Sequence, residues 1–196
     1  LIFDSHRGDR QALYERPASG ATPERVLLEP DERVGAMGAA DWSLDGKWLM
    51  FDKQIGSWDI WALALSGDRK PFPYLTSSFH EGGEMLSPNG RWLAYVSNEP
   101  GRFEVIVQPF PDPSGGKWQI STQGGAFPRW RRDGRELYYL DANGWIIAVP
   151  VVTDRNFEVG KSTPLFETPL TLPANPVSSG SVPYDVTPDG QRFLVS

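Results

Sequence analysis

The chain has 196 residues, with 19 Lys plus Arg against 25 Asp plus Glu, and its net charge of −6 disfavours a nucleic-acid or anionic-membrane surface as partner. It contains no cysteine, which excludes disulfides and thiolate chemistry and leaves the redox compartment open. Its 20 Gly and 18 Pro make it dense in turns, yet aromatic residues reach 12% with eight Trp, a content that disordered chains lack.

In chain order, "LIFDSHRGDR" opens the sequence as a strand running into a polar loop, with none of the charged and apolar regions of a signal peptide. "ALYERPA" from Ala12 and "RVLLE" from Arg25 follow as two more short strands. "DWSLDGKWLMF" at residues 41–51 then introduces a tight turn, and the chain returns to it three times. The returns are "LSPNGRWLAY" from Leu86, "RWRRDGRELYY" from Arg129 and "DVTPDGQRFLV" from Asp185. Gly46, Gly90 and Gly134 lie 44 residues apart, and Gly190 follows after 56. The excess falls on the Pro- and Ser-rich "TPLTLPANPVSSGSVP", about 168–183, which reads as an inserted loop. A period of this length predicts a propeller blade of four short strands. No apolar run approaches the ~20 residues that span a bilayer.

Each unit supports that expectation. A first strand carrying Trp42, Trp130 or Tyr184 precedes the turn. The steps Asp45-Gly46, Asn89-Gly90, Asp133-Gly134 and Asp189-Gly190 supply the positive φ of a tight hairpin, and each acid or amide side chain is placed to bond local backbone groups. "KWLMF", "RWLAY", "RELYY" and "QRFLV" follow as second strands, apolar on both faces as stacked sheets require. "DIWALAL", "FEVIVQPF" and "WIIAVPV" make third strands; "FPYLTS", "KWQISTQ" and "TPLFET" make fourth ones. The expected architecture is all-β: about four blades of four antiparallel strands, in units of roughly 1–40, 41–84, 85–128 and 129–184 with a partial unit at 185–196.

The pattern W-S-x-D-G-x-x-L-x-[FY], then a polar loop, then "DIW" or "ALY", resembles the TolB-like, WD40-like β-propeller repeat. "FDSHRGDRQALYERPASG" at residues 3–20 fits it closely, "WSLDG" and "LSPNG" depart at one position each, and "WRRDG" departs more. The run also resembles the propeller regions of bacterial membrane-bound serine/threonine kinases and related sensors. The resemblance implies a fold, not a function, and it points to the bacterial periplasm or cell exterior. Aligned this way, both termini fall in second strands. The expectation is therefore an arc of a larger propeller of six to eight blades, or an open arc that associates with a partner or with itself through its strand edges.

Repetition makes the turn residues architectural, since one chemical centre would need one copy. The loops at the opposite, upper end of the strands differ from unit to unit and form the candidate binding surface: His6, Arg7, Asp9 and Arg10; Gln54, Ser57 and Trp58; His80 and Glu81; Asn98, Glu99 and Arg102; Gln123; and Asn143.

No catalytic set emerges. "GKST" at residues 160–163 lacks the earlier glycine of a phosphate loop, and "RGD" at residues 7–9 belongs to the repeat's own loop. There is no G-x-S-x-G elbow. His6 and His80, 74 positions apart, do not suggest zinc, and no twelve-residue calcium loop is present. Arg131, Arg132 and Arg135 read as solvated turn residues, and the strand entrances near Ala40, Met85, Pro128 and Pro183 look poor in acids. The expectation is a non-enzymatic binding or sensor propeller with no cofactor or metal, no nucleic acid and no membrane contact. Its loop face would meet a protein, peptide or saccharide. The alternatives are an accessory propeller of a peptidase-type hydrolase, or an enzyme with a site in the central channel.

Overall fold

The chain forms a series of antiparallel sheets, described here from a computed structural model for residues 1–7, 10–29, 34–177 and 182–196, with Arg10 described by its backbone alone. The first sheet orders β1 (Ile2–Arg7), β2 (Arg10–Glu15) and β3 (Arg25–Leu28). The second orders β4 (Ala36–Trp42), β5 (Trp48–Ile55), β6 (Ser57–Ala64) and β7 (Pro71–Leu75). In the third, β8 (Glu81–Leu86), β9 (Trp92–Ser97), β10 (Glu104–Pro109) and β11 (Trp118–Gln119) repeat the arrangement. The fourth runs β12 (Gly125–Trp130), β13 (Glu136–Asp141), β14 (Trp145–Val152); both the short β15 (Glu158–Val159) and β16 (Thr163–Glu167) pair with β14. A last pair joins β17 (Tyr184–Val186) to β18 (Phe193–Val195). The strands expected from the repeat are all present; β15 is the addition.

The recurring turn holds because its side chains satisfy its own backbone. Gly46, Gly90, Gly134 and Gly190 take φ of 72°, 69°, 72° and 73°, a region that only glycine enters without strain. The Lys47, Arg91, Arg135 and Gln191 N–H groups donate to Asp45, Asn89, Asp133 and Asp189 at 3.0–3.1 Å. In three turns a hydroxyl, of Ser43, Ser87 or Thr187, donates to that acid or amide and accepts the N–H of Trp48, Trp92 or Arg192. The third turn puts Arg131 where the hydroxyl stands elsewhere. Its guanidinium grips Asp133 through two bonds of 2.7 Å and Glu136 through one of 2.6 Å. This corrects the solvated role expected of Arg131: it is the brace of its own hairpin, whereas Arg132 and Arg135 are exposed.

Apolar cores lie between consecutive sheets. Leu13 packs with Met37, Leu49, Phe51 and Leu63 between the first two. Met50, Ile60, Tyr74, Leu93, Tyr95 and Ile106 fill the next space. The largest cluster joins the third, fourth and fifth sheets. There the Trp92 ring meets Trp118 edge-on at 5.5 Å and Phe157 at 5.1 Å. The seam is also hydrogen-bonded: the Thr153 carbonyl accepts Trp92 Nε1–H and Asn89 Nδ2–H, each at 2.8 Å. Burial on both faces holds for β9, every residue of which is buried, but not for β18, whose Leu194 is 73% exposed.

Residues 178–181 of the inserted segment lie outside the described residues; the part before them is packed against the sheets. Leu170 and Leu172 pack on the large core, Thr168 bonds the Gly144 carbonyl, and Pro176 and Val177 are buried.

Candidate functional site

At the upper end of the strands, five of the expected residues come together. His80 lies on the connection between the second and third sheets, where its Nδ1 accepts the Trp58 N–H at 3.3 Å. Its own N–H donates to Asn98 Oδ1 at 2.9 Å, and the Asn98 N–H returns to the His80 carbonyl at 3.3 Å. Glu81, 4% exposed, accepts the Ser77 hydroxyl at 2.7 Å through Oε1, while Oε2 has no partner. Burial, and next the charge of Asp59, raise its pKa, against the lowering bond from Ser77. Ser57 ties the same loop down by donating to the Ser77 carbonyl at 2.8 Å. The connections of two sheets are thus interlocked, and they hold Phe79 outward at 38% exposure. Sequence reasoning passed over Phe79, although a lone aromatic inside "TSSFHE" was its signal.

The other expected residues are placed apart from this group. His6 is exposed at the end of β1, and Arg7 bonds Glu24 at 2.9 Å while lying 4.2 Å over the Tyr14 ring, so it braces its own sheet. Asp9 and the Arg10 side chain lie outside the described residues. Arg102 reaches out beside the buried Glu104, at 3.8 Å, and Glu99 pairs with Lys117. Gln54 is half-buried, and Gln123 and Asn143 are exposed.

A second concentration of charge lies on the inner strands, where acids were expected to be few. Met85, Arg129 and Tyr184 share with Asp41 and Asp185 the lining of a cavity of about 410 Å³. A smaller chamber of about 120 Å³ adjoins it and is lined by Asp52 and Glu84. The physical reason for the correction is register. The bulge between Gly82 and Met85 turns the Glu84 carboxyl inward, and Asp52 enters from the second strand of the neighbouring sheet, with Oδ1 2.8 Å from where a Cβ on Gly82 would sit. Asp41 accepts the Leu86 N–H at 2.7 Å, linking the two sheets, and burial raises its pKa to about 6. Arg129 lies 3.8 Å from Asp185.

Successive antiparallel sheets, two of them four-stranded and packed face to face, give the chain a β-propeller fold like that of TolB. The solved structures it resembles include TolB from Acinetobacter baumannii, with TM-score 0.66 and 19% identity, covering 97% of this chain and 44% of that one. A candidate TolB from Agrobacterium tumefaciens gives 0.63 and 18%, covering 84% and 59%. A puromycin-hydrolyzing peptidase of Mycobacterium tuberculosis gives 0.57 and 16%, covering 96% and 34%. The likeness is one of fold, and the chain spans 44% and 59% of the two TolB structures' own lengths. No protein-family model and no curated protein sequence matches the chain.

Proposed function

We propose that this protein is a non-enzymatic binding propeller of the bacterial periplasm or cell exterior, and that its upper loop face docks a protein or peptide. The observation that carries this reading is the interlocked loop pair: Trp58, His80 and Asn98 are fixed by mutual hydrogen bonds and present Phe79 to solvent. A rigid aromatic on a preordered surface loses little entropy on binding and excludes water around it, as binding hot spots do. A saccharide would stack on the same ring. The peptidase-type and channel-enzyme readings stand second.

A photo-crosslinker at Phe79, compared with one at the opposite end beside Asp133, tests the assignment in cells producing the protein. Discrete adducts from the Phe79 position that disappear in His80→Ala support it; equal adducts from both ends sink it. Self-association is a second reading, favoured by Leu1 and Leu194, which are 66% and 73% exposed beside strand edges unpaired among the described residues. Sedimentation velocity over a range of concentrations decides that point.

A further inference from the structure

The small inner chamber is a built site whose chemistry the loop face does not use. Glu84 is 1% exposed, and no donor reaches either of its carboxyl oxygens. Asp52 keeps some exposure as a residue, but its Oδ1 is shut off from solvent and also lacks a donor. The two carboxyls face each other, so they can bond only by sharing a proton. Burial, together with the charge of Glu84, pushes Asp52 well above the usual carboxylate range, and burial pushes Glu84 up to about 7. Ionised acids in such a place demand a cation carrying several N–H donors.

We propose that the chamber binds a primary alkylammonium group, with Glu84 and Asp52 receiving its three N–H donors and the apolar wall its aliphatic chain. The volume of about 120 Å³ corresponds to roughly four waters at ~30 Å³ each, room for a short chain. Ala39, Ala40, Phe127, Val177 and Val182 supply apolar lining between the carboxyls and the wider cavity. Around the pair, β4 contributes Asp41, β12 Arg129 and β17 Asp185, while residues 168–177 of the inserted loop carry no charge. Arg129 is offset by Asp185 and Asp41, which leaves the approach anionic. A metal ion fits less well: among the described residues no three ligating side chains are grouped to hold one.

The chemistry is shared by a free small amine and by a lysine side chain of a peptide, and two probes separate them. Titration of the 196-residue protein with n-butylamine, followed by NMR or calorimetry, should show binding at pH 8 and at least tenfold weaker binding at pH 5.5. Butylamine is charged at both pH values, so the difference reports protein carboxyls, namely the pair together with Asp41, raised to about 6, at the approach; the Glu84→Gln and Asp52→Asn variants isolate the pair. n-Butanol should not bind. Binding of Nα-acetyl-lysine amide would identify a peptide side chain as the occupant; its exclusion while butylamine binds would identify a free amine. Glu84→Gln and Asp52→Asn should each weaken butylamine at least tenfold with near-UV circular dichroism unchanged. Should either variant unfold, Ala40→Leu crowds the lining that the chamber shares with the wider cavity and leaves both acids intact, and it too should weaken binding. No butylamine binding to the wild type at pH 8, or undiminished binding to Ala40→Leu or to a folded Glu84→Gln, overturns the proposal.

Discussion

Replacing Glu84 by Gln should flatten the pH dependence of stability, and the structure sets both sign and size. The unfolded chain releases this proton near 4.5, whereas burial holds it in the folded chain until about 7. Between those values the folded state binds more protons than the unfolded one, so stability falls as pH rises; the contribution is complete below 4.5 and gone above about 7. At ~1.4 kcal/mol per pH unit, Glu84 accounts for about 3 kcal/mol of that loss, a large part of the ~5–15 kcal/mol that holds a domain folded. Asp41, raised by burial to about 6, pulls the same way and survives in the variant. Removing Glu84 also takes one charge from beside Asp52, relaxing that acid toward its ordinary range. Gln brings its own cost, an unsatisfied buried amide of about 1–3 kcal/mol, but that cost does not vary with pH. The measurement is therefore the difference in urea-derived stability between pH 5 and pH 8 for each protein. The wild type should lose about 2–3 kcal/mol more than Glu84→Gln over this interval. Parallel profiles would refute the burial of an ionisable Glu84.

Other consequences can be measured with the same denaturation assay. Gly46→Ala meets nothing within 4 Å and should cost only the left-handed backbone penalty of about 1–2 kcal/mol. Gly144→Ala, at φ +84° with its new Cβ 2.8 Å from the Leu170 carbonyl oxygen, should cost about 1–3 kcal/mol more. Trp92→Phe should lose about 1 kcal/mol with the indole bond to Thr153, whereas Trp92→Ala, which empties the cluster with Trp118 and Phe157, should lose about 3–5 kcal/mol. Phe79→Ala should leave stability within ~0.5 kcal/mol while weakening partner capture.

The architecture was legible because each turn solves its own hydrogen bonding locally. Asp-Gly, preceded by a hydroxyl, states the geometry within five residues, and the apolar strand beyond it states the burial. Arg131 was misread for the same reason: a guanidinium replacing a hydroxyl looks like surface charge until its reach to both Asp133 and Glu136 is known. The inner wall was hidden more deeply. Glu84 in "EGGEML" faces inward only because a bulge shifts its register, and Asp52 meets it from another sheet. No spacing along one strand encodes that encounter, although the adjacent Gly82 and Gly83 hinted at a close approach. At the upper face, chain order gave the loops but not which of them touch. His80 with Trp58 and Asn98 came together, while His6 stayed apart, because loop contacts follow the stacking of sheets and not the repeat.

The carbonyl of Thr153, forked between Trp92 and Asn89, gives this molecule an optical gauge of its own. The indole is 6% exposed and lies where the third and fourth sheets meet. Should those sheets part, water would replace the carbonyl, and the emission of that one ring would shift to the red before either sheet had melted. A single-tryptophan version keeping Trp92 would therefore distinguish blades separating from blades unfolding, a distinction that circular dichroism of the backbone does not make.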